Sequence, residues 1–238
     1  MPKSLINDRF GRELNIVVIG PPFGFKGQLG KFLSQTYGVC DDGNKNKEGF
    51  HIVTVGDEIK EEIKTNPQMA KLVADGELID NQTAHALAMR RYDHGKKQGF
   101  HRSYFDGHCR EADQVDLLVN SGILGEHSLC FVFEVSRKSC FERLAYALKH
   151  GDRANRLDND KLEKRLGTYE DNLPGVLQSL MDHRIDHEHI DAEGELNDFK
   201  ERFLKNLTRF CPLPKAPHQE QVKRPQWVYG EPQTPMFA

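Results

Sequence analysis

Gly20-Pro21-Pro22-Phe23-Gly24-Phe25-Lys26-Gly27-Gln28 follows directly on the apolar run Ile16-Val17-Val18-Ile19. A buried strand that breaks into a Gly/Pro-rich turn and delivers one lysine to a helix start suits a cradle for phosphate groups. Backbone N–H groups at a helix N-terminus favour anionic oxygens, and the lysine adds a full positive charge. The usual form of such a loop, G-x-x-x-x-G-K-[ST], has glycine where Phe25 stands and a hydroxyl just after the lysine. The stretch therefore reads as a nucleotide-phosphate loop that has been altered.

Working outward, five short runs read as buried parallel strands: Asn15–Ile19, His51–Val55, Ser103–Asp106, Leu129–Val135 and His189–Asp191. Helical patterns lie between them, the alternation of an α/β fold with a parallel sheet. Leu29, Phe32 and Leu33 recur at helical spacing, so the loop carrying Lys26 opens a helix. Asp41 to Gly49 is polar and turn-rich and is predicted as an exposed insertion. From Asp57 to Tyr92 three short helices are expected. Asp57 caps the first, with Ile59 and Ile63 inward; Asn66-Pro67 opens the second, which Gly76 ends; Asn81 caps the third. Asn159 to Asp182 reads as a longer helix with Leu166, Tyr169, Leu173 and Leu177 as its stripe, kinked or divided at Pro174.

The 238 residues suffice for one well-buried domain, taken as 1–211. A formal charge of −3 disfavours bulk nucleic-acid or membrane partners, yet allows a local basic cleft for a small polyanion. Cys40, Cys109, Cys130, Cys140 and Cys211 are odd in number and lack a C-x-x-C pair, which fits reduced thiols. With no apolar run near 18 residues and no signal-peptide core before Leu14, a soluble cytoplasmic protein is expected. Six of the eleven prolines fall in 212–238, beside Trp227, Tyr229 and Phe237. This segment reads as an extended tail, docked on the domain or serving as a partner-binding element.

Five blocks in order resemble the adenylate kinase family of nucleoside monophosphate kinases over about Asn15 to Leu207. They are Gly20–Gln28; Thr54-Val55-Gly56-Asp57-Glu58-Ile59-Lys60; Tyr104-Phe105-Asp106-Gly107-His108-Cys109-Arg110 with Gln114; Gly151–Asp160 with Arg165-Leu166 and Tyr169; and Ile190-Asp191-Ala192. The resemblance implies a three-layer α/β fold of the P-loop nucleoside-triphosphatase kind with a five-stranded parallel sheet. It also implies a helical acceptor flap at about 57–97 and a short lid at about 149–160. The implied activity is magnesium-dependent transfer of the γ-phosphoryl group of ATP to a nucleoside monophosphate, by a monomer. Such chemistry asks a protein chiefly for positioning and positive charge.

By the same resemblance, Lys26 holds the β- and γ-phosphates. Gly20, Gly24, Gly27, Gln28, Arg143 and Arg153 complete the ATP site. Arg110 grips the acceptor phosphate, and Arg156 and Arg165 clamp the transferring group. Asp158 fixes the lid arginines, and Asp106 orients magnesium through its water shell. Val55, Gly56, Lys60, Gly107 and Gln114 join Arg110 around the acceptor. Glutamine at position 114 favours AMP, because a carboxamide pairs bidentately with adenine.

The chain departs from the family pattern at functional positions. Phe23 and Phe25 replace loop glycines where positive φ is expected, at a cost of about 1–3 kcal/mol if that conformation is kept. Gln28 replaces a threonine, Val55 a threonine, Lys60 an arginine, Cys109 a proline and His150 an arginine. A divergent kinase is the leading reading. A nucleotide-binding regulatory or scaffold relative with poor turnover is the alternative, and a kinase for pyrimidine or deoxynucleoside monophosphates is a narrower one. Plainer roles stand beside several residues: Asp158 as a helix cap, Cys109 as core packing, and His183, His187 and His189 as surface residues rather than a metal cluster.

Overall fold

The computed structural model describes residues 13–37, 49–75, 77, 79–150 and 158–210. Its centre is a sheet of five parallel strands: β1 (Leu14–Ile19), β2 (Phe50–Thr54), β3 (Arg102–Asp106), β4 (Ser128–Glu134) and β5 (His187–Asp191), in spatial order β2-β3-β1-β4-β5. Strand β1 is buried along its whole length, because it pairs with β3 on one side and β4 on the other. Side chains alternate between its faces, and both faces are covered, so the strand reads as a continuous apolar run.

Two apolar cores on opposite faces of the sheet make three layers. On one face Ile16, Val18, Phe131 and Phe133 meet Leu29 and Leu33 of α1 (Lys26–Tyr37) and Phe199, Phe203 and Leu207 of α8 (Leu196–Phe210). On the other face Val17, Ile19 and Val132 meet three helices. These are α4 (Asn81–Lys97) through Leu87, α5 (Ala112–Asn120) through Val115 and Leu118, and α7 (Asn159–Asp182) through Val176 and Leu180. A smaller cluster joins Cys140 and Leu144 of α6 (Arg137–Lys149) to Leu162 and Leu166 of α7.

Between β2 and β3 stand α2 (Val55–Glu62), α3 (Pro67–Ala74) and α4. Asn66 caps α3 by accepting from the Met69 N–H at 3.1 Å, with Pro67 in the first turn. Two expected starts are corrected. Helix α2 begins at Val55 with Thr54 as its N-cap, so Asp57 is inside the first turn; β2 passes into the helix without a turn residue to punctuate it. Helix α4 is capped by Asp80, which accepts from the Thr83 N–H at 2.9 Å, in place of Asn81. Helix α7 runs unbroken through Pro174, whose ring lies on the exposed side. Gly49 is buried at the entrance to β2 rather than exposed. The rest of that insertion, Gly76, the lid segment 151–157 and the tail 212–238 lie outside the described residues. Among the described residues no helix is long and apolar enough to cross a membrane.

Helix α1 sits close on the sheet because position 30 has no side chain. A Cβ there would lie 2.8 Å from the Tyr104 ring, and the Tyr104 hydroxyl donates to the Lys26 carbonyl at 2.8 Å. Gly30→Ala is therefore expected to cost about 1–3 kcal/mol in chemical denaturation, as an overpacked contact does. Gly167→Ala in α7, where the added methyl meets open space, should gain about 0.5–1 kcal/mol.

Candidate functional site

The sheet register brings three chain exits to one level. Val18 pairs with Asp106, and Asp106 pairs with Thr54. Hence the loop after β1, the turn after β3 and the start of α2 leave the sheet side by side. In open α/β sheets the crevice outside these carboxyl ends is where ligands bind.

Lys26 opens α1 beneath this crevice. Its Nζ donates to the carbonyls of Gly20 (2.6 Å) and Pro21 (2.7 Å). Burial pushes its pKa down to about 8; the Asp106 carboxylate opposes that shift and the charge of Arg110 adds to it. Asp106 ends β3, and its Oδ2 lies 3.3 Å from where a Cβ at Gly27 would stand, so glycine leaves the carboxylate room against α1. Gly107, at φ 84°, turns the chain toward Arg110, whose Nε donates back to the Gly107 carbonyl at 3.1 Å. Arg165 on α7 is half-buried, and both burial and the Arg110 charge push its pKa down. Lys26, Arg110 and Arg165 thus lie within electrostatic reach along the chain Lys26–Arg110–Arg165, and Asp106 is the carboxylate acting on the first two. Cations gathered at strand ends, with Asp106 the carboxylate named on them among the described residues, suit an anion.

The loop itself is held in strain. Phe23 and Phe25 both adopt left-handed backbone, at φ 59° and 64°. The glycine-type conformation is thus retained by bulky residues. Gly20 and Gly24 are needed by space: a Cβ would come 3.1 Å from Phe133 Cβ at the first and 2.9 Å from the Pro21 carbonyl at the second. Gly27 and Gln28 are exposed on the first turn of α1.

Other predicted residues stand elsewhere. Gln114 is buried with both ends engaged: its Oε1 accepts from the Arg110 N–H at 2.9 Å, and its Nε2 donates to Asn81 Oδ1 at 2.7 Å. Asn81 in turn donates to Glu111 at 2.8 Å. The carboxamide expected to read adenine is committed to fastening α4 and the Arg110 backbone. Arg143 donates to the carbonyls of Phe23 (2.9 Å) and Ala192 (2.6 Å) and lies 3.6 Å over the Phe25 ring. Val55 is buried in the core, Gly56 follows it, and Lys60 is exposed on α2. Asp158 caps α7 through the Lys161 N–H at 2.8 Å, the plainer of its two roles. Arg153 and Arg156 lie outside the described residues.

Cys109 sits at φ 58°, a backbone that proline, fixed near −65°, cannot adopt. Burial raises its thiol well above the ordinary value, which disfavours the reactive thiolate and fits a packing role. His183 pairs with Asp116 at 2.8 Å, and His189 with Glu134 at 2.8 Å.

Sequence reasoning missed a histidine pair between α4 and the β3–α5 turn. His85 Nδ1 lies 3.4 Å from His108 Nε2, and the buried His108 Nδ1 has no hydrogen-bond partner among the described residues. Burial, then the charges of His85 and Arg110, push the His108 pKa down to about 3. The only sequence signal was the i, i+4 spacing of Asn81 and His85, which puts both on one face of α4. No protein-family model matches the chain, and no curated protein matches it.

The His108 shift has a definite sign. The unfolded state takes up its proton near pH 6.5 and the folded state only near 3, so stability falls as pH drops through 6.5. Urea unfolding at pH 7 and pH 5 should show wild-type losing up to about 1.4 kcal/mol per pH unit from this group. In His108→Asn that loss should shrink; an unchanged loss would mean the imidazole already charges in the fold.

Proposed function

We propose that this chain binds a nucleoside triphosphate by its phosphates at the start of α1 and transfers the γ-phosphoryl group to a nucleoside monophosphate. The observation that carries the reading is Lys26 and Arg110 beside Asp106 at the ends of β1 and β3, with Arg165 of α7 within electrostatic reach of Arg110. The strand order and the P-loop-like strand–loop–helix unit support a fold of the P-loop kinase kind. The N–H groups of the first turn of α1 and the Lys26 ammonium hold the donor phosphates. On binding, Lys26 exchanges the Gly20 and Pro21 carbonyls for phosphate oxygens, which favour the charge that burial disfavours. Arg110 meets the acceptor phosphate, and Arg165 offsets the charge spread over the transferring group.

Asp106 is a hard oxygen donor facing the first turn of α1, which suits a hydrated magnesium ion. A hydrated magnesium ion held there would neutralise negative charge on the donor phosphates. Gln28 has no hydroxyl to add, so on the protein side that role falls to Asp106.

A second reading, a nucleotide-binding relative with poor turnover, is favoured by Gln114 and Arg143, whose polar atoms are committed within the fold. The acceptor base is accordingly left to the test. Purified protein with magnesium and ATP is incubated with a panel of purine, pyrimidine and deoxynucleoside monophosphates, and products are read by mass spectrometry. Diphosphate from one acceptor, lowered at least 100-fold by both Lys26→Ala and Arg110→Ala, is the expected result. ATP binding that Lys26→Ala abolishes, with no product from any acceptor, selects the second reading. ATP affinity unaffected by Lys26→Ala overturns both.

A further inference from the structure

The geometry points to Arg143 as the positioning residue that holds the altered phosphate loop in its binding shape by gripping Phe23 and Phe25 together. This rests on the phosphate reading of the loop, which Lys26 tests separately. Resemblance alone assigned Arg143 to ATP; its contacts assign it to the protein.

One guanidinium reaches three places. Its Nη1 binds the Phe23 carbonyl at 2.9 Å, its Nη2 binds the carbonyls of Ala192 (2.6 Å) and Gly194 (3.2 Å), and its plane covers the Phe25 ring at 3.6 Å. The same ring also stacks on Phe199, with centroids 5.9 Å apart. Phe25 therefore packs against both a cation and the core, and the Phe23–Gly24 peptide is held at both ends, since the Gly24 N–H donates to the Pro21 carbonyl at 3.1 Å. The turn that anchors Arg143 is itself fixed, because Glu193 accepts from the Ser136 N–H and the Ser139 hydroxyl at the start of α6.

The two gripped residues are the strained ones, Phe23 at φ 59° and Phe25 at φ 64°. Left-handed backbone at bulky residues persists only where the surroundings over-determine it. Phe25 also accepts the first helical bond of α1, from the Leu29 N–H at 2.9 Å. Holding Phe25 thus sets where the helix begins and where the N–H groups of Lys26, Gly27 and Gln28 point. Neither a direct nucleotide contact nor simple core packing would connect Arg143 to those φ angles.

The experiment is a mutant cycle on the full chain with Arg143→Ala, Phe23→Gly and the double variant. The readouts are amide hydrogen exchange over residues 20–28 and ATP affinity by calorimetry. Arg143→Ala is expected to speed exchange in the loop at least 10-fold and weaken ATP at least 10-fold. Glycine takes left-handed backbone freely, so in the Phe23→Gly background the same substitution should weaken ATP by less than about 3-fold. If Arg143→Ala does not fold, Arg143→Lys keeps the charge, loses the fork and should show the same coupling in smaller measure. Weakened ATP with unchanged loop exchange, or effects that multiply independently in the double variant, would overturn the assignment. Faster loop exchange in Arg143→Ala, together with ATP affinity indifferent to Lys26→Ala, would keep the positioning role and sink the phosphate reading.

Discussion

The Lys26 ammonium is drawn out of water to face two carbonyl oxygens, the Asp106 carboxylate and the like charge of Arg110. A cation so placed is costly unless its neighbourhood is arranged for it. The arrangement begins in the sheet. The pairing of Val18 with Asp106 sets the carboxylate level with the end of β1, one residue before the loop leaves the strand. The missing side chain at Gly30 lets α1 descend onto Tyr104, and the Tyr104 hydroxyl then receives its partner in the Lys26 carbonyl. Slipping either strand by one residue would move Asp106 to the wrong face, so the electrostatics of the site depend on the register of the core.

That dependence explains why the architecture was legible in the sequence. Strand β1 has no polar residue after Asn15 because both its faces are covered, and a short continuous apolar run records that condition directly. The span of α7 was read to the residue, since a capping aspartate precedes it and its stripe keeps helical spacing. Errors arose where local chemistry is degenerate. Asp80 and Asn81 both cap well by type, and in the fold Asp80 takes the cap while the Asn81 side chain is engaged by Gln114 and Glu111. Thr54-Val55 carries no breaker, so nothing in the letters marks the point where β2 turns into α2.

The candidate site was legible in its charges and not in its hydrogen bonds. Lys26 and Arg110 come just after strands, Asp106 closes one, and Arg165 lies in the second turn of a capped helix, so sequence position points them toward one end of the sheet. Where a side chain spends its donors is a tertiary fact. Gln114 reaches Asn81, 33 residues away, and Arg143 reaches Phe23, 120 residues away; no spacing rule covers either. His108 escaped notice for the same reason, its neighbour His85 lying 23 residues earlier on another element.

The phenylalanines of the loop turn a weakness of sequence into a feature of energetics. A glycine loop takes left-handed backbone without strain but leaves its ordering to be met when ligand arrives. Here each left-handed phenylalanine costs about 1–3 kcal/mol in the folded state. Burying a phenylalanine side chain returns about 1.5–3 kcal/mol, and Phe25 is 4% exposed. For Phe25 the two quantities are comparable, so the exchange of glycine for phenylalanine is nearly neutral for folding. Its effect falls on the loop's freedom instead. The ring packs against both Arg143 and Phe199, and the ordering that a glycine loop defers to binding is completed when the chain folds. Such a loop gains preorganisation and gives up adaptability. On the proposed phosphate reading, it would hold phosphate groups firmly in one geometry, with little room to follow them if that geometry must change during transfer.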